Sequence, residues 1–107
     1  MKDNKHIKAM TEKLIGYSDN IETIYLVSVK VDTLGELTSF KLGLIVDDTV
    51  KSTSEFIAKL YIDIDCELPY DIIVYTQSEF DSLKDDNGTF ANKIISKGTV
   101  LYGKGLS

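Results

Sequence analysis

The densest run of chemically capable side chains is Asp63-Ile64-Asp65-Cys66-Glu67, three carboxylates and a thiol within five residues. Those are the donor types that hold divalent cations. On a helix, however, neighbouring side chains spread around the axis, so the run reads as a solvated acidic face. Asp47-Asp48 reads as the turn that closes a strand. His6 falls on the polar side of an N-terminal helical pattern, with no partner of recognisable kind near it in sequence, and reads as exposed. Cys66 reads as a small apolar residue near the end of an amphipathic segment. Gly103-Lys104-Gly105 lacks the longer glycine spacing and following helix of a phosphate loop, and reads as part of a loose tail, Gly103 to Ser107.

Composition narrows the classes. The chain has 107 residues, a formal net charge of -5 and 43% hydrophobic residues, which indicates a single globular domain over 1-107. No apolar run approaches the roughly 18 to 20 residues of a spanning helix, and Met1 to His6 is not backed by a signal-peptide apolar stretch, so the expectation is a cytoplasmic protein without membrane contact. One cysteine allows no internal disulfide and no multi-cysteine metal site within the chain. All 12 cations are lysines. With no guanidinium fork and an acidic balance, broad contact with a nucleic-acid backbone is not expected.

The elements that must position any site follow from periodicity. Ile7, Met10, Leu14 and Tyr17 make one stripe of a helix over Lys5 to Tyr17. A β-branched and aromatic run from Ile21 to Val31 and a second from about Leu37 to Val46, joined by Asp32-Thr33-Leu34-Gly35-Glu36, predict an antiparallel hairpin. Between Ser52 and Leu68 two patterns compete: Leu60, Ile62, Ile64 and Cys66 alternate like a strand, whereas Phe56, Ile57, Leu60, Tyr61 and Ile64 fit a helix face. The capping-box form of Ser52-Thr53-Ser54-Glu55 and the stop at Pro69 favour the helix. Asp71 to Tyr75 is a short strand, and Thr76-Gln77-Ser78-Glu79 caps a brief helix through Leu83. After the loop Asp85 to Gly88, a last helix over Thr89 to Lys97 buries Phe90, Ile94 and Ile95, ends at Gly98 in a left-handed conformation, and leads into a strand over Thr99 to Tyr102.

This order, with particular residues, resembles the minimal nucleotidyltransferase domains, the small Mg-dependent members of the polymerase β-like superfamily. The C-terminal part carries it best: Leu68-Pro69-Tyr70-Asp71-Ile72-Ile73-Val74-Tyr75-Thr76, then Glu79-Phe80, then Phe90 to Tyr102. In the family the first strand ends in Gly-Ser, ten residues follow, and Asp-x-Asp lies on the second strand. Here the frame holds Val27-Ser28, ten residues, and Ser39-Phe40-Lys41, followed by Leu42-Gly43-Leu44-Ile45-Val46. The resemblance thus implies an α+β fold, with a mixed sheet of about four strands, a hairpin plus later strands, flanked by helices. It maps the site to Ser28, Ser39, Lys41 and Asp71. Both metal-binding aspartates are replaced, the glycine before Ser28 is Val27, and the Arg-Gly of the family is Val31-Asp32.

Nucleotidyl transfer uses two divalent cations held by carboxylates on adjacent strands. Asp71 alone cannot hold them, and an ammonium at Lys41 would stand where Mg²⁺ sits. If Lys41 faces Asp71 at about 4 Å, their attraction is on the order of 4 kcal/mol at an effective dielectric near 20, before desolvation. The resemblance therefore implies a degenerate, noncatalytic member that needs no cofactor and acts as a binding module. Its partner would be a HEPN-like chain, as in toxin-antitoxin pairs, or a second copy, with Tyr17 and Tyr102 either lining the partner surface or belonging to the core. The alternatives are a transferase that uses Mg²⁺ and a nucleoside triphosphate through a rearranged set of Asp47-Asp48 with Asp71, and a sensor in which Ser28 and Lys41 hold a nucleotide phosphate without metal.

Overall fold

A computed structural model describes residues 1–104. Eight elements follow in order: α1 (Lys5–Tyr17), β1 (Ile21–Val31), β2 (Leu37–Val46), α2 (Thr53–Asp63), β3 (Tyr70–Thr76), α3 (Gln77–Leu83), α4 (Phe90–Lys97) and β4 (Thr99–Gly103). The four strands form one mixed sheet in the order β3-β2-β1-β4. β1 is antiparallel to both β2 and β4, while β2 and β3 run parallel, joined by the α2 crossover. The fold is α+β, with a four-stranded mixed sheet flanked by four helices. No helix among the described residues is long and apolar enough to cross a membrane.

Local chemistry explains the boundaries. Asn4 accepts the amide of His6 to start α1, Ser52 accepts that of Glu55 to start α2, and Thr89 accepts that of Asn92 to start α4. Thr76 and Glu79 form a reciprocal capping box at α3. In the hairpin turn, Asp32 Oδ1 accepts the amides of Leu34 and Glu36, and Gly35 takes a φ of 81°, a conformation that favours glycine.

Strand alternation sends side chains to two cores. Ile24, Leu26, Phe40, Leu42, Leu44, Val46, Ile72 and Val74 pack against Ile7, Met10 and Leu14 of α1 and Leu60 of α2. On the opposite face, Tyr25 and Ile45 pack against Phe80 of α3 and Ala91 and Ile94 of α4. α4 approaches the sheet directly over Gly43, where an added Cβ would lie 3.1 Å from Ile94 Cδ1 and 3.4 Å from Val27 Cγ2.

Several sequence expectations need correction. α2 ends at Asp63, not Leu68, and Ile64 is extended. The reason is tertiary: Ile64 turns into the core, its carbonyl accepts Tyr70 Oη at 3.0 Å, and Lys13 Nζ donates to the Asp65 carbonyl at 2.6 Å. Gly98 has a φ of -76° and is not left-handed. Glycine is needed there for close approach, because a Cβ would meet the Ile94 carbonyl oxygen at 2.5 Å. Of the apolar residues on α4, Ile94 is buried, Phe90 is half-buried and Ile95 is exposed, since only one side of this short helix meets the sheet. Of the two alternatives for Tyr17 and Tyr102, the structure takes the core: both pack against the larger cluster. Gly103 and Lys104 are not loose as expected: Gly103 closes β4, and Lys104 donates to the Glu22 and Asp19 carbonyls. The remainder of that expectation, Gly105 to Ser107, lies outside the described residues.

Candidate functional site

A bulge at Val27 sets the site. Leu26 pairs with Leu42, but the next pair is Ser28 with Lys41, so Val27 is one residue too many on β1. Val27 packs beneath α4, and the shift places Ser28 level with Lys41 on the same side of the sheet. β3 is in register alongside, with Asp71 level with Lys41. Ser28, Lys41 and Asp71 therefore form one row across three strands, and Lys30 and Ser39, paired in the next row, extend it on the same face.

These five residues line a concavity of about 130 Å³ at the end of the sheet that α4 leaves uncovered. Ser28, Lys30 and Asp71 are exposed, and Ser39 and Lys41 are half-buried. Pockets that enclose small molecules run to about 300–1,000 Å³, so this one is small, with room for only part of a ligand. Lys30 is the member that the family frame does not mark. Strand alternation from Ser28 would have found it, because a residue two positions on shares its face.

Lys41 and Asp71 face the same way, yet they make no ion pair. The two ion pairs among the described residues are His6–Glu67 and Lys84–Asp81. Lys41 Nζ instead stands 5.5 Å from the centroid of the Phe90 ring, and Lys93 Nζ is 5.4 Å from the same centroid. The attraction of an ammonium to an aromatic face accounts for this choice, since an ion pair to the exposed Asp71 carboxylate gains little in water. The site thus holds one carboxylate with ammonium groups close by, a donor set that does not fit a pair of divalent cations.

The other acidic groups lie elsewhere and are engaged. Asp47 accepts Asn20 Nδ2 and both the amide and hydroxyl of Thr49, while Asp48 accepts the amide of Ser78 at 3.0 Å and its hydroxyl. These hydrogen bonds, from Thr49 above all for Asp47 and from Ser78 for Asp48, hold both carboxyls below the usual carboxylate range. Val46 pairs with Thr76 and Lys41 with Asp71, so five residues, roughly 16 Å, separate the two ends of β3. The structure therefore does not bring Asp47-Asp48 to Asp71, which corrects the expectation of a rearranged carboxylate set.

Asp63, Asp65 and Glu67 diverge as well, though not on one helix as the sequence suggested. Asp63 accepts Tyr17 Oη at 2.8 Å, whereas Asp65 and Glu67 lie in the loop after α2. No three His, Cys, Asp or Glu side chains among the described residues are grouped to hold a metal ion. His6 is half-buried rather than exposed, with Nδ1 3.7 Å from Glu67 Oε2, because that loop folds back over α1. Cys66 is a half-buried free thiol packed against the larger core.

No protein-family model, no curated protein and no solved structure matches the chain.

Proposed function

We propose that the chain is a nucleotidyltransferase-like domain that has lost transferase chemistry and acts in the cytoplasm as a binding module for a protein partner. The observation that carries this reading is the convergence of Ser28, Ser39, Lys41 and Asp71 on one surface. The family's sequence frame alone picks out these four positions. The strand register sets three of them in one row and Ser39 in the next, on a single face. The carboxylates on which transfer depends are absent from two of the four, and lysine occupies one.

The partner in this reading is a HEPN-like helical chain, by analogy with the pairs that active minimal nucleotidyltransferases form. A metal-independent nucleotide sensor is the second reading, favoured by the hydroxyls of Ser28 and Ser39 beside Lys30 and Lys41. The small volume of the concavity argues against it, because little of a nucleoside would fit.

The test is incubation of the protein with each nucleoside triphosphate and Mg²⁺ while pyrophosphate release is followed. The expected result is no release above that of the nucleotide alone. Release that disappears on Asp71→Asn would overturn the reading.

A further inference from the structure

The two edges of the sheet differ. On β3 the amide of Ile72 donates to Tyr61 Oη at 2.9 Å, so a side chain seals that edge, and Pro69 stands just before the strand. On the other side β1 has 11 residues, whereas β4 pairs with it only from Thr23 to Leu26. From Val27 to Val31, roughly 16 Å of strand, no described strand flanks β1 on that side. Ser28, Val29, Lys30 and Val31 are all exposed.

We infer that this free edge of β1 is a strand-addition site, and that its occupant is an extended segment of a partner protein in which acidic and apolar residues alternate. Backbone pairing supplies the docking, and the faces of β1 supply the selection. Ser28 and Lys30 point to the side that carries Lys41 and, on α4, Lys93; among the described residues lining the concavity Asp71 is the one carboxylate, and Asp32, next to Val31, has an Oδ1 that accepts the Leu34 and Glu36 amides in the turn. Val29 and Val31, 36% and 49% exposed, point to the other side. An added strand alternates in the same way, so the side chains on one face lie beside Ser28 and the Lys30 ammonium, with Lys41 one strand further in, and the others cover the valines. In a chain of net charge -5 this face is locally positive, which selects an acidic partner. A second copy pairing edge to edge about Val29 would bring two such lysine sets onto one face, and its charge opposes that arrangement. The inference rests on the binding reading above and names the partner's chemistry.

The experiment uses the full-length protein, isotope-labelled for NMR, with a blocked heptapeptide of alternating valine and glutamate as probe. The expected result is shifts confined to Val27–Val31 and Ser39–Lys41, with slowed exchange of the β1 amides that face outward. Affinity should fall about tenfold when lysine replaces glutamate in the probe and about tenfold in Lys30→Glu, with the two changes together restoring it. N-methylation of alternate probe residues, which leaves the protein untouched, should abolish binding. Absence of shifts at millimolar probe, equal binding of the N-methylated peptide, or shifts elsewhere would overturn the proposal. So would a concentration-dependent dimer that protects the same amides without peptide, since the occupant is then a second copy. Failure of the peptide leaves the binding reading standing, whereas pyrophosphate release overturns that reading whatever the peptide does.

Discussion

Lys41 and Asp71 stand side by side in register on the parallel strands β2 and β3, facing one way, with the Lys41 ammonium turned to the Phe90 ring. The row thus holds one carboxylate and a cation of its own. Its charge is anchored by an aromatic face rather than by the neighbouring carboxylate.

Adding carboxylates to this row should create metal binding. In Ser39→Asp with Lys41→Asp, three carboxylates would share one face, and Mn²⁺ at submillimolar concentration should broaden the amides around positions 39–41 and 71. The unaltered protein should show no such localised broadening. Broadening at Asp71 in the unaltered protein would contradict the proposal that this surface works without metal.

Tyr61→Phe should cost about 1 kcal/mol in urea denaturation, because the outward amide of Ile72 loses the hydroxyl that accepts it. Exchange of that amide should quicken while amides in β1 keep their protection. An unchanged Ile72 exchange rate would show that Tyr61 does not seal the edge.

Gly43 lies beneath Ile94 at a distance that leaves no room for a branched side chain. Gly43→Val should destabilise by about 1–3 kcal/mol through overpacking. Ile94→Ala alone should cost about 2–5 kcal/mol. Combined, the two should cost clearly less than their sum, since each relieves the other's defect. Additive costs would show that α4 does not sit over Gly43.

Stability should fall at both ends of the pH range. Burial first, and then the hydrogen bond and negative charge of Asp63, push Tyr17 up from 10.0 to about 12. A raised phenol favours the neutral form in the folded state, so its contribution is intact below pH 10 and is lost as pH rises through about 12. Burial also raises Tyr25, Tyr70 and Tyr75, so Tyr17→Phe should flatten the alkaline slope without removing it. The lowered carboxyls of Asp47 and Asp48 stabilise above the ordinary carboxylate value, and that contribution is lost as pH falls through their depressed values. Urea midpoints measured across pH would check both arms, and an alkaline slope unchanged in Tyr17→Phe would count against the Tyr17–Asp63 contact.

Features set by close neighbours along the chain are legible in the sequence. The helix from Lys5 to Tyr17, the hairpin, and the caps at Ser52 and Thr76 depend on local periodicity and on side chains a turn away. The end of α2 is not legible in this way, because Lys13 and Tyr70, which lie outside that helix, hold the backbone that follows it. The same holds for His6, whose partner Glu67 arrives with that loop. Four of the five residues at the site follow from the family frame, and Lys30 escapes it because that frame treats the segment after Ser28 as a connecting loop. The chain instead continues β1 past the bulge at Val27 to Val31.

The central claim is that this surface binds without nucleotidyl chemistry, and the most direct measurement is a two-dimensional NMR titration with ATP and GTP, first with Mg²⁺ and then with EDTA. The account predicts that Ser28, Lys41 and Asp71 stay unshifted at millimolar nucleotide in both conditions. Shifts at those residues that require Mg²⁺ would contradict it and return the chain to the transferases.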